Sequence, residues 1–135
     1  MPITVTAPRG VLTAEGEREV LPRLTSALVA ASGQSEDPAF AERVGGTVHV
    51  LDSSDVYAGG RPSPLVLVEL KLPAVGLASL EARAAFIRDA TDIVDELTVE
   101  GHDRVRTWVN VLNAPDGAWG VGGVSLTNAM LTGGA

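Results

Sequence analysis

A proline stands directly behind the initiator methionine in the opening MPITV. If the methionine is removed, Pro2 becomes an N-terminal secondary amine, a base that no internal residue can offer. Catalytic bases work best with a pKa near the operating pH. An ordinary terminal amine titrates at roughly 7.7–8.0, against about 4 for carboxylates. Burial in an apolar pocket and neighbouring positive charge both disfavour the ammonium form and lower that value. The rigid ring also fixes where the lone pair points, which helps hold a reacting geometry. A Met-Pro start alone carries no function, so the rest of the chain has to decide between a chance proline and a placed one.

Other chemistry-bearing residues are sparse. With no cysteine there is neither thiolate chemistry nor a disulfide framework. His49 and His102 are the two histidines, and without cysteine they make no metal-ligand cluster. No metal and no organic cofactor is expected; His49 reads as a structural mid-strand residue and His102 as a solvated loop residue. GAWGVGG (117–123) follows a strand but opens no helix, so it reads as a flexible turn rather than a phosphate loop.

The 135 residues fit one domain with a real core, and 45% hydrophobic residues argue for a folded chain. A formal charge of −7 speaks against nucleic acid or an anionic membrane surface as partner, because binding phosphate needs a basic footprint. No apolar run approaches the roughly 18 residues that cross a bilayer. The start lacks the basic and long apolar stretches of a secretory signal, so a cytoplasmic protein is expected.

ITVTA (3–7) alternates apolar and polar residues and reads as a strand. Thr13 is a candidate helix cap, with Glu15 and Glu17 favourable in the first turn. Val20, Leu24, Ala27, Leu28 and Ala31 then share one face up to the stop at Gly33. Pro22, inside that pattern, predicts a kink or a delayed start. After a polar loop, TVHVLD (47–52) is a strand, AGGRPSP (58–64) a loop, and LVLVELKL (65–72) the strongest strand of the chain. Ser79 caps a second helix whose buried face reads Leu80, Ala84, Ile87, Thr91, Val94 and Leu97. EGHD (100–103) breaks it, VRTWVNVLN (105–113) returns as a strand, and VSLT (124–127) is a short strand in a Gly-rich tail.

The pattern is an α+β fold: two consecutive β-α-β units, 1–57 and 58–113, in a single domain with a tail, 114–135, expected to reach another subunit. Parallel strands within each unit need their helix as crossover, and both helices should land on one face of a four-stranded sheet. Alternation then puts Val48, Val50, Val66, Val68, Leu70, Leu72, Val105, Val109 and Val111 beneath the helices. Facing away are Pro2, Thr4, Thr6, Thr47, His49, Glu69, Lys71, Arg104, Arg106, Trp108 and Asn110, with Leu51, Leu65, Leu67 and Leu112 among them. A face half suited to water and half to another subunit implies self-association. It also groups Pro2 with the only lysine and two arginines.

Here the sequence resembles the tautomerase superfamily, in particular its long members, macrophage migration inhibitory factor and the cis-3-chloroacrylic acid dehalogenase group. The likeness is carried by Pro2 at the head of the first strand, the paired β-α-β units, SG (32–33), VHVLDSSDVYAGGRPSP (48–64) and DRVRTWVN (103–110). It implies a homotrimer with a site at each subunit boundary, a proton-shuttling terminal proline, and no metal or organic cofactor. The departures narrow the chemistry. Leu28 stands where the dehalogenase has a histidine, LPAVG (72–76) lacks its arginine pair, and GAWGVGG offers no match to its late glutamate, so hydrolytic dehalogenation is not expected. Gln34 replaces a lysine of the inhibitory factor, and a backbone donor falls at Pro73, which has no N–H. The factor's last-strand tyrosine and asparagine correspond to Arg106 and Trp108 or to Trp108 and Asn110, depending on register.

The expectation is therefore an isomerase in which neutral Pro2 moves a proton on a small keto or enol acid. Arg106, with Lys71 or Arg61, would hold a carboxylate or an enolate oxygen, Trp108 would pack on the planar substrate with Leu65 as a dry wall, Asn110 would bind it, and Tyr57 would reach a neighbour's pocket. The alternatives are a cofactor-independent hydratase or decarboxylase of an unsaturated or β-keto acid, and a trimeric binding protein without turnover.

Overall fold

The computed structural model describes residues 1–133. Its centre is a four-stranded sheet made of β1 (Pro2–Pro8), β2 (Gly45–Leu51), β5 (Val66–Pro73) and β6 (Thr107–Ala114) in the order β2-β1-β5-β6. Between β1 and β2 runs α1 (Ala14–Ala31), and between β5 and β6 runs α2 (Leu80–Leu97). β1 pairs parallel with β2 and β5 parallel with β6, while β1 and β5 join the two units antiparallel. The two β-α-β units, with both helices on one face of a four-stranded sheet, are those the sequence predicts; the antiparallel junction of β1 and β5 is added by the structure. Two short hairpins lie outside it: β3 (Tyr57–Ala58) with β4 (Arg61–Pro62), and β7 (Trp119–Val121) with β8 (Val124–Leu126). A single turn, α3 (Asn128–Leu131), follows the second.

Local chemistry explains both long helices. Thr13 Oγ1 accepts the Gly16 N–H at 2.9 Å, and α1 ends where Gly33, at φ +67°, lets the Gly33 and Gln34 amides donate back to Ala30 and Val29. Ser79 Oγ accepts the Ala82 N–H at 3.0 Å at the start of α2. The helices pack side by side on one face of the sheet. Ile3, Val5, Val68 and Leu70 meet Leu24, Leu28, Phe86 and Val94 there in one core. The opposite face stays open: Thr47, His49, Lys71, Trp108, Asn110 and Leu112 are exposed, with Thr4, Thr6, Leu67 and Glu69 half-buried between them.

Several local expectations fail for physical reasons. α1 starts directly after Thr13 and runs on through Pro22. Pro22 and Arg18, whose carbonyl loses its helical donor, both lie on the exposed side, where water supplies the missing bond. The buried stripe of α2 is Phe86, Ala90, Val94 and Leu97. Leu80 is 78% exposed and Ile87 38%, because the stripe that meets the sheet is rotated from the one expected. β6 begins at Thr107 rather than 105: Asp103 Oδ1 accepts the Val105 N–H at 3.1 Å and holds 104–106 in a 3-10 turn. Arg104 therefore leaves the open face and pairs with Asp92 of α2 at 2.8 Å and with Asp95. Val105, expected beneath the helices, is exposed instead. Leu65 precedes β5 and is buried rather than on the open face. AGGR, expected as a plain loop, forms the β3–β4 hairpin with Gly59 and Gly60 at positive φ. His102, expected in solvent, is half-buried and hydrogen-bonds Thr107 Oγ1 at 3.0 Å.

Candidate active site

The register places each candidate. One step beyond the paired Ile3 and Leu70, Pro2 stands level with Lys71 across β1 and β5, and with Gly45 across β1 and β2. Directly opposed residues on one face have Cβ atoms about 4.5–5.5 Å apart, so the lysine ammonium is within easy reach of Pro2. Lys71 is exposed and forms no ion pair among the described residues. These two candidates come together within one chain.

The others do not join them. Asn110 sits opposite Glu69, one row along the open face from Lys71 and Leu112. Trp108 sits opposite Leu67, which faces Thr6, four residues from Pro2. That separation is roughly 13 Å along the strands and about 10 Å across them. The Trp108 indole N–H is bound by the Val105 carbonyl at 3.0 Å, and its ring is 46% exposed on the open face. Arg106 lies in the 3-10 turn before β6, not on the strand. Tyr57 and Arg61 are in the β3–β4 hairpin, where Pro62 and Ser63 line a shallow recess with Pro8 and Arg9 at the far end of β1. Within one subunit, then, the Trp108–Arg106–Tyr57 group occupies the end of the sheet opposite Pro2, and Leu65 is not a wall of the Pro2 site.

At the Pro2 end lies a cleft of about 1250 Å³, which β1 reaches through Met1. Its walls come from the end of α1, the loop carrying Phe40, Glu42 and Arg43, the turn Val75–Ala78, and the tail with Trp119 and Met130. Asn113 ties the turn in place, its Nδ2 donating to the Pro73 carbonyl at 2.9 Å and the Gly76 carbonyl at 2.8 Å. This turn carries Leu77 at φ +44°, a conformation a leucine keeps only when its surroundings hold it. The tail wall is built by Asp116 Oδ1 accepting the Asn128 N–H at 2.6 Å and by a Ser125 hydroxyl bond to the Gly117 carbonyl. GAWGVGG, expected as a flexible turn, is thus the β7–β8 hairpin that delivers Trp119 to the cleft.

Met1 closes the strand end like an extra residue of β1. Its ammonium donates to the Arg43 carbonyl at 2.8 Å, and its carbonyl accepts the Gly45 N–H at 3.2 Å. Burial lowers the pKa of this amine below the ordinary terminal value of 8.0. Arg43 is the one cationic side chain lining the cleft among the described residues. Arg43, Trp119 and Asn113 are absent from the candidates read in the sequence: Arg43 and Trp119 reach the site through a loop and a tail that have no periodicity, and Asn113, on β6, bears on the site only through the turn it ties down. Among the described residues no group of three or more His, Asp or Glu side chains is placed to hold a metal ion, and no helix is long and apolar enough to cross a membrane.

Comparison with known proteins bears on the fold. No family model and no curated protein matches the sequence. Solved structures do. A fused 4-OT wild-type symmetric trimer superposes with a TM-score of 0.77 at 23% identity, each chain covered in full. Pt0534 inactivated by 2-oxo-3-pentynoate gives 0.76 at 24% identity, covering 93% of this chain and 96% of the other. N1, a member of the cis-3-chloroacrylic acid dehalogenase family, gives 0.71 at 16% identity, covering 98% and 89%. The chain has the tautomerase fold that its sequence resembles.

Proposed function

We propose that this protein is a cofactor-independent keto–enol tautomerase in which the amine of processed Pro2 shuttles a proton on a small keto or enol acid. The observation that carries the reading is the placement of Pro2 at the head of β1, level with Lys71 and joined to the residue that lines the cleft. The substrate class is supported by the similarity to a protein inactivated by 2-oxo-3-pentynoate, a small α-keto acid.

The chemistry follows from the groups present. Neutral Pro2 takes a proton from the α-carbon, and the C–H electron pair becomes the enolate double bond. The developing oxyanion is met by the Lys71 ammonium, and Arg43 in the cleft holds the carboxylate. Protonated Pro2 then returns the proton to the oxygen or to another carbon. Trp119 and Leu77 keep water from the conjugated intermediate. The Trp108, Arg106 and Tyr57 group completes the site from a neighbouring subunit in a homotrimer, since its own Pro2 is out of reach, and Asn110, one row from Lys71, binds the substrate between the two ends. The similarity to a fused 4-OT trimer supports that assembly.

The test is α-proton exchange of phenylpyruvate in deuterated water, followed by NMR on chain whose Met1 loss is verified by intact mass. The wild type should exchange the proton, and Pro2→Ala should lose about 10²–10⁴-fold in rate, the usual worth of a positioned acid–base group. Undiminished exchange in Pro2→Ala would reject the mechanism.

A further inference from the structure

Met1 shows what the site offers to whatever replaces it. It pairs with the loop before β2 as though β1 were one residue longer, so the Gly45 N–H points at the Met1 carbonyl oxygen, 3.2 Å away. That oxygen belongs to the amide of Pro2 and lies, by standard amide dimensions, roughly 2.2 Å from the Pro2 nitrogen. Removing Met1 therefore frees a fixed backbone donor aimed at a point adjoining the base. Gly45 is exposed, and among the described residues its N–H has no partner besides the Met1 carbonyl. On the other flank of β1, Pro73 has no N–H to give, and Asn113 occupies the carbonyls of Pro73 and Gly76.

We propose that in the processed chain the backbone N–H of Gly45 is a catalytic donor that binds the carbonyl oxygen of the substrate and stabilises the enolate. This rests on the reading of Pro2 as the base. An oxygen retreating from the ring nitrogen along the former C=O direction moves toward Gly45, from 3.2 Å into the 2.7–3.1 Å range of effective oxyanion donors. As Pro2 removes the α-proton, the C–H pair forms the carbon–carbon double bond and the carbonyl π pair moves to the oxygen that Gly45 holds. Protonated Pro2 then delivers the proton to that oxygen, leaving the enol and the neutral amine. Unlike the flexible Lys71, the strand amide needs no reorganisation at the moment of reaction.

The site has room for a side chain. Gly45 lies outside the positive-φ region, and a Cβ there would meet nothing within 4 Å. Val44, at φ −99° and ψ 103°, is extended and about 20° in ψ short of the range a residue before proline adopts, and proline is tolerated at the first position of an edge strand. Gly45→Pro deletes the donor, whereas Gly45→Ala adds a methyl group and keeps it. With processed chains and phenylpyruvate, Gly45→Pro should fall about 10²–10³-fold below Gly45→Ala in kcat/KM. Equal rates for the two variants would overturn the assignment. Should Gly45→Pro not fold, the Gly45 amide resonance of wild-type protein decides. It should move on adding phenylpyruvate, and an unmoved amide beside a shifting Trp119 indole would overturn the role just as firmly. Full exchange activity in Pro2→Ala would instead strike the reading of the base, an outcome distinct from either Gly45 result.

Discussion

Met1 and a substrate compete for the same groups, which makes the first residue a switch in this reading. An acylated proline nitrogen has no basic lone pair, so chain that retains Met1 should show no α-proton exchange, and methionine aminopeptidase should restore it. The retained form also carries a pH signature. Burial holds the Met1 ammonium below its ordinary value of 8.0, so the folded chain releases this proton before the unfolded chain does. Between the two values the unfolded state binds more protons, and stability rises with pH. Thermal melts of the Met1 form should climb as pH approaches 8 from below and level off beyond it; an N-acetylated control should lack the climb, and identical curves would contradict the burial. Arg43 faces the cleft with no ion pair among the described residues. Hydrogen bonds to charged groups are worth about 1.5–3 kcal/mol. Arg43→Gln should therefore raise KM for phenylpyruvate roughly 10-fold or more and leave an enolisable aldehyde without a carboxylate nearly unaffected; equal effects on both would deny it the carboxylate. Pro2 and Lys71 are legible on one face because strand alternation is a local rule, whereas their level placement comes from the long-range pairing of β1 with β5. Arg43 and Trp119 are not legible, since only tertiary folding of loop and tail brings them to Met1.

At the scale of elements, the two capped helices and four main strands are readable because Thr13, Ser79 and Gly33 mark ends that the backbone itself requires. What misleads is rotation of a helix about its axis. α2 carries two partly apolar stripes, and alanines at 82, 84, 85 and 90 make them hard to tell apart. The structure chooses the stripe with Phe86, which is fully buried against the sheet, and leaves Ile87 at the border. Phe86→Ala should cost about 3–5 kcal/mol, the range for a large aromatic removed from a packed core. Ile87→Ala should stay within about 1 kcal/mol. Denaturant melts of the two variants decide the matter, and comparable losses would mean that α2 sits in the other rotation. The start of β6 shows a second limit. The string VRTWVNVLN alternates well from 105, yet Asp103 captures the Val105 amide and Arg104 is drawn to Asp92 and Asp95. A side chain–backbone bond and an ion pair overrule the alternation for three residues, and they move two of the expected arginines off the sheet face.

At the scale of the whole molecule, the decisive fact is that one chain carries its candidate groups at opposite ends of an uncovered sheet face. Pro2 and Lys71 mark one end, Trp108, Arg106 and the Tyr57 hairpin the other. The open face holds exposed Trp108 and Leu112, which a lone subunit would leave in water. A closed cyclic trimer resolves both problems, because a head-to-tail interface brings one chain's far end to the next chain's Pro2. This arrangement makes a quantitative demand. Pro2→Ala chain lacks the base, and Arg106→Ala/Trp108→Ala chain lacks the groups that complete its neighbour's site. Each should be nearly inactive when assembled alone. Co-refolded in equal amounts, about one boundary in four pairs an intact Pro2 with an intact Arg106 and Trp108, by random assortment around a ring. The mixture should therefore regain about a quarter of wild-type exchange activity. Sedimentation of the mixture should show the trimer mass, so that recovery is read on assembled protein. If every site were built within one chain, no mixed assembly would hold an intact one, and the mixture would stay as inactive as its parents.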